Sequence, residues 1–224
     1  MAIAYRSVAT ATNSGTCSAP SGVASGDIMV ATVVWFDSLG LTVTPPSGWT
    51  LFSTAEFTVF TPGGPVHSKL YWKLAGGSEP ADYTWTISAG PYTEVGILAY
   101  SGVDNTTPID ASASDIGEGG GTVTPPSITT TVANTVLLAF LHDYGNAMST
   151  PSGMTQRALW DASINLIADE ARAATGATGT RADGSSFGKW SAHLIALKPA
   201  GGGPAAASAP IYPPAYRHQA LLGR

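Results

Sequence analysis

Apolar and polar positions along this chain alternate with the period of a strand. Ile28–Phe36 is an unbroken run of β-branched, aliphatic and aromatic residues with no charge, glycine or proline. Such a run predicts a strand buried on both faces or set in a sandwich core. Pro45, Pro46 and Gly48 end it, because proline offers no amide proton to a ladder and glycine accepts the positive φ of a turn. Alternation then predicts strands at Ile3–Thr12, Leu51–Phe60, His67–Leu74, Tyr83–Ile87 and Val95–Tyr100. In His67–Leu74, Leu70, Trp72 and Leu74 share one face and Lys69, Tyr71 and Lys73 the other, the pattern of a half-buried antiparallel strand.

Pro62–Pro65 and Ala75–Asp82 are turn-forming breaks. Residues 101–127 carry Asp104, Asn105, Pro108, a glycine run and Pro125-Pro126, and read as an irregular connection with a short strand around Thr122–Thr124. Beyond it, strands are expected at Ser127–Val132, Asn134–Leu141, Arg157–Asp161, Asn165–Ala173 and Lys189–Leu197. Ile164–Ala174 also holds good helix formers, but its place in the order of elements favours a strand.

That order repeats. Pro-Ser-Gly-x-Thr occurs at 46–50 and at 151–155, each time after an apolar strand, and Val95–Tyr100 closes the first part as Ala192–Leu197 closes the second. The spacing, roughly a hundred residues, is too long for a solenoid and suits a diverged internal duplication. The expected fold is an all-β antiparallel β-sandwich, jelly-roll or Ig-like, from two diverged halves with an extended C-terminal arm. The halves span 1–110 and 111–200, as one sandwich or as two similar small domains, and 201–224 is linker and arm.

Length supports this picture, since 224 residues can bury a sizeable core without staples. Only 11% of residues are charged and the net charge is −5, so no basic track exists to hold nucleic acid. No run approaches a membrane span, and the N-terminal Met1–Ser7 lacks the apolar stretch of a signal peptide, which predicts release into the cytosol. Cys17 is the one cysteine, so no internal disulfide forms. From Gly201 the chain becomes a Gly/Pro/Ala linker followed by Ile211-Tyr-Pro-Pro-Ala-Tyr216. Two prolines between tyrosines favour an extended, polyproline-like arm that lies in a groove on a neighbouring subunit, with Ile211, Tyr212, Tyr216, Leu221 and Leu222 as anchors, or folds back on its own domain.

Candidate chemistry is sparse. His67, His142, His193 and His218 fall in separate elements without metal-ligand spacing, and no Gly-x-Ser-x-Gly elbow accompanies them. Asp169 and Glu170 are adjacent, so in a strand they point to opposite faces and do not share a substrate. Asp115–Gly121 lacks the ligand spacing of a calcium loop. Neither catalytic, cofactor nor metal residues are assigned. Trp35, Trp49, Trp72 and Trp85 read as core, whereas Trp160 and Trp190 are candidates for stacking on glycans or for subunit contacts.

Several of these motifs together resemble a group of β-sandwich proteins of tailed bacteriophages and prophages. The resemblance rests on Gly26-Asp27 opening the apolar strand and on Pro46-Ser-Gly-Trp-Thr50. It also rests on Tyr71–Pro80 running on to Tyr83-Thr-Trp85, and on Ala99–Asp104 with Pro108-Ile-Asp110. It covers about residues 20–200; in the second half the turn tryptophan is Met154 and the Ser-Glu-Pro element is missing. It implies a virion surface component made in the bacterial host cytoplasm: a capsid decoration protein, head fibre or tail module. The partners implied are the major capsid protein, other virion subunits and further copies of itself, for instance as a trimer. A carbohydrate-binding module for host attachment is the alternative. No catalytic residues carry over.

Overall fold

The computed structural model describes residues 2–36, 38–56, 65–118, 122–162, 164–182 and 188–201. The arm residues Ile211, Tyr212, Tyr216, Leu221 and Leu222, and His218, lie outside them. The described chain is all-β. Its first half supplies β1 (Ala4–Ala11), β2 (Ile28–Phe36), β3 (Thr50–Ala55), β4 (Val66–Leu74) and β5 (Thr93–Ser101), hydrogen-bonded in the order β1-β5-β2-β4-β3. Its second supplies β6 (Ile109–Glu118), β7 (Thr135–Asp143), β8 (Thr155–Trp160), β9 (Asn165–Arg172) and β10 (Lys189–Leu197), in the order β6-β10-β7-β9-β8. Adding five to every strand of the first order gives the second.

The repetition extends to irregularities. Pairing slips past Arg6 in β1 and past Asp110 in β6, and again past Phe52 in β3 and Arg157 in β8. Each slip is a β-bulge, which bends an edge strand, and each has its counterpart at the equivalent place in the other half. The two Pro-Ser-Gly turns also close alike. Trp49 N donates to Pro46 O at 3.3 Å and Met154 N to Pro151 O at 3.1 Å, with φ of 83° at Gly48 and 85° at Gly153.

The sheets pack face to face, and alternation along the central strands explains why both are buried throughout. Ile28 and Val30 in β2 face Val136, Leu138 and Phe140 in β7, together with Leu98, Ile167 and Ile195. The intervening residues, Met29, Ala31, Val33 and Trp35, face outward under short strands Thr16–Ser18, Val43–Thr44, Asp82–Thr84 and Thr86–Ile87, with Trp49, Tyr83 and Trp85 among the packed side chains. Likewise Leu137, Ala139 and Leu141 lie under Val123, Ile128 and Met148. The arrangement is therefore layered, with the two large sheets inside.

Three expectations need correction. The supposed irregular connection 101–127 contains the ten-residue strand β6. Its Ala, Ser and Asp residues are weak strand formers, and it survives as an edge strand because β10 pairs along its length. Thr122–Thr124 is not a strand, although Val123 is buried. Ser127–Val132 contributes only Thr129–Thr130, paired with Gly176–Ala177 outside the main sheets. The competing helix is absent: residues 165–172 are β9.

Gly96 tests the face-to-face packing. A Cβ placed there would lie 3.0 Å from Ile167 Cδ1 and 3.1 Å from Trp160 Cη2 across the layer. Gly96→Val is expected to lower the free energy of unfolding by about 1–3 kcal/mol, read from the urea midpoint. A neutral result would contradict close apposition of the sheets.

Candidate functional site

The titratable and hydroxyl groups that the sequence scatters over distant elements meet between the sheets. Thr32 of β2 projects toward β7, where its Oγ1 lies 3.0 Å from His142 Nε2. On the other side of that ring, Nδ1 is 2.9 Å from Asn165 Oδ1. This is the pattern of a neutral imidazole, donating at one nitrogen and accepting at the other. His193 of β10 is held the same way, with Nε2 2.8 Å from Ser68 Oγ and Nδ1 2.8 Å from Ser53 Oγ. Ser68 Oγ also meets Ser191 Oγ at 2.8 Å. Thr32, Ser68, His142, Asn165, Ser191 and His193 have no exposed surface.

Carboxylates occupy the ends of the layer. Glu94 is fully buried, accepting from Asn13 N at 3.0 Å and from Trp160 Nε1 at 2.8 Å. Burial chiefly, with a contribution from Asp161, raises its pKa to about 7. At the opposite end Asp169 accepts from Tyr100 OH at 2.7 Å and from Arg157 Nε at 2.8 Å, and the Arg157 guanidinium lies 4.1 Å from the Tyr5 ring centre. Glu170 turns away to pair with Arg181, so the two neighbours do face opposite ways.

Chemically, Ser68 beside His193 has two members of a nucleophilic triad. The third position belongs to the Ser53 hydroxyl, which cannot stabilise an imidazolium as a buried carboxylate does, and both residues are sealed from solvent. Burial lowers the pKa of His142 to about 4, and burial followed by the neighbouring His142 lowers that of His193 well below the ordinary range. The pair therefore serves as uncharged ties between sheets. Cys17 is also sealed, its thiol pushed up to about 12 chiefly by burial. Among the described residues no group of three or more His, Cys, Asp or Glu is placed to hold a metal ion.

The two tryptophan candidates separate. Trp160 is 9% exposed, packed in the inter-sheet core and tied to Glu94, so it offers no stacking face; its position at the end of a strand beside Asp161 hid its inward direction. Trp190 is half-buried, with its ring over Gly117, where a Cβ would lie 2.1 Å from the indole. Two residues that the motif search did not single out are more open. Tyr92 and Tyr144 are 42% and 39% exposed and flank Phe36, with centroid separations of 5.9 and 6.0 Å. The Tyr92 hydroxyl donates to Asp161 at 3.1 Å.

The buried histidines and Glu94 act oppositely on stability. An unfolded histidine takes up its proton near pH 6.5, whereas His142 resists until about pH 4. Between those values the unfolded chain binds more protons, so stability falls as pH drops. Glu94 in the fold takes its proton at about pH 7, against about 4.5 for an exposed glutamate, so acidification through that window favours the fold. With His67 also held below the ordinary range chiefly by burial, three histidines oppose one glutamate, and stability is expected to fall by on the order of 1–3 kcal/mol per pH unit between about pH 6.5 and 4.5. Urea titrations of Glu94→Gln should show a steeper fall and those of His193→Asn a shallower one; slopes unchanged in both would contradict the assignment.

No family model matches the chain, and comparisons with curated proteins and with solved structures give no match either.

Proposed function

We propose that this chain is a non-enzymatic structural protein of a bacteriophage virion, foremost a capsid decoration protein that binds the assembled shell and neighbouring copies. The observation that supports it most is how the resemblance motifs are used. Trp49 of the Pro-Ser-Gly-Trp turn packs at 5.1 Å from both Tyr83 and Trp85, and Tyr71 completes the group at 6.1 Å from Trp85. Glu79 of the Ser-Glu-Pro element accepts from Tyr83 OH and pairs with Lys73 Nζ at 3.0 Å. Gly26 takes a φ of 88°, and Asp27 accepts from Arg6 Nε at 3.1 Å and from Ala24 N at 2.8 Å. These motifs thus build the body itself, as expected of a scaffold that presents its ends to partners. In this reading the arm beyond Gly201 engages the shell or a neighbour.

A carbohydrate-binding role for host attachment is a second reading, favoured by Tyr92 and Tyr144. Their rings are half-open at one end of the strands, and aromatic faces with a nearby carboxylate suit sugar C–H and hydroxyl groups.

Quantitative mass spectrometry of purified particles tests the first reading. Copies in the hundreds relative to the major shell protein are expected, and deletion of 201–224 should abolish particle binding while the body stays folded. Absence from particles, or undiminished occupancy without the arm, would overturn it. A glycan array followed by Tyr92→Ala and Tyr144→Ala tests the second; binding that both changes leave intact would reject this site.

A further inference from the structure

The carboxylates at the two ends of the inter-sheet layer are balanced differently. At one end Asp169 is matched by the Arg157 guanidinium. At the other, beside Tyr92 and Tyr144, neither Glu94 nor Asp161 has an ion-pair partner among the described residues. Their surroundings register the unmatched charge. Burial first, then Asp161, raises the pKa of Glu94 to about 7, and burial first, then both carboxylates, raises that of Tyr92 to about 12. Lys189, whose carbonyl accepts from Tyr144 N, is buried with its Nζ turned to Glu118 at 3.7 Å. Glu94 is sealed from solvent, but Asp161 is partly exposed. Its Oδ1 takes the Tyr92 hydroxyl, and its Oδ2 has no hydrogen-bond partner among the described residues. Next to it, the open rings of Tyr92 and Tyr144 lean on Phe36 at 54° and 55°.

We propose that this end binds a sugar carrying a free amine, with Tyr92 and Tyr144 as stacking faces and Asp161 as the partner of the ammonium group. The inference rests on the carbohydrate reading of this patch and names the class of sugar. Charge selects the occupant. A pyranose packs its C–H groups on an aromatic face, and an attached cation is drawn to the negative face of the same ring. Beside Asp161 the ammonium group gains a charge-assisted hydrogen bond and supplies the counter-charge that this end lacks. A neutral or acetylated sugar leaves the carboxylate unmatched. An acidic sugar is repelled by Asp161, by Glu94 behind it and by a chain whose net charge is −5. Two open rings offer more stacking surface than a lone ammonium group uses, which favours a sugar over a small amine.

Calorimetric titration of the full-length protein at pH 6 and low salt, where the amine carries its proton, is the test. The ligands are a glucosamine hexamer and its fully N-acetylated counterpart. The glucosamine hexamer is expected to bind at least about tenfold more tightly, and Asp161→Asn should erase the difference. Asparagine tolerates the φ of 51° found at this position, and its carbonyl still accepts from the Tyr92 hydroxyl, so the melting temperature should not change. Equal affinity for the two hexamers, or a preference that survives Asp161→Asn, would overturn the inference while leaving the carbohydrate reading in place. Binding by neither hexamer would overturn it together with that reading's support at this patch. Glucosamine binding that oligolysine matches, or that Tyr92→Ala and Tyr144→Ala both leave intact, would mark diffuse attraction to a negative protein and overturn it as well.

Discussion

Everything in this molecule depends on the face shared by the two five-stranded sheets. Its middle is apolar, and its margins are tied by Thr32–His142–Asn165, by Ser68 and Ser53 on His193, by Glu94–Trp160 and by Tyr100–Asp169–Arg157. Apolar burial supplies attraction without direction. The polar ties supply register, because a sheet shifted along its partner would strand neutral histidines and a glutamate without partners. The same face explains why β2 and β7 carry no polar side: each is covered by the facing sheet within and by its own short strands or loops without.

Two copies of one five-strand plan, bulges included, have thus kept a common inner geometry while their outer covers diverged. The first cover is aromatic, built by Trp49, Tyr71, Tyr83 and Trp85, with Glu79 holding the Tyr83 hydroxyl. In the second, Met154 and Met148 stand among aliphatic residues. Methionine fills irregular space without demanding a hydrogen-bond partner, so the second turn has the backbone of the first with Met154 where the first has Trp49. Polar ties lie across the inner face, where each half supplies what the other lacks. Tyr92 and Tyr144 mark one end of the layered body and the root of the C-terminal segment marks the other, an arrangement that presents different chemistry in opposite directions.

The strands that bury both faces were legible in the sequence because a short run rich in β-branched and aromatic residues, such as Ile28–Phe36, without charge, glycine or proline and ended by turn residues, suits a doubly covered strand better than a buried helix. Repeated Pro-Ser-Gly turns were legible because φ near +85° at the third residue leaves glycine as the natural choice. Strand β6 was not, since Asp110-Ala-Ser-Ala-Ser-Asp115 gives no apolar alternation, and its stability comes from pairing with β10. The inter-sheet ties were hidden for a related reason. Thr32 and His142 are 110 residues apart, and a histidine in an apolar strand announces burial but not its partner. Trp160 was misjudged because Asp161 beside it suggested a surface, whereas the strand's alternation sends the indole inward to Glu94.

Site-resolved hydrogen exchange of β2 and β7 under native conditions tests most directly whether the shared face makes the two halves one unit. The account predicts that Ala31, Val33, Ala139 and Leu141 exchange only through global unfolding, with matching free energies and matching dependence on urea. Distinct opening energies for β2 and β7, with one half exchanging while the other remains protected, would contradict it.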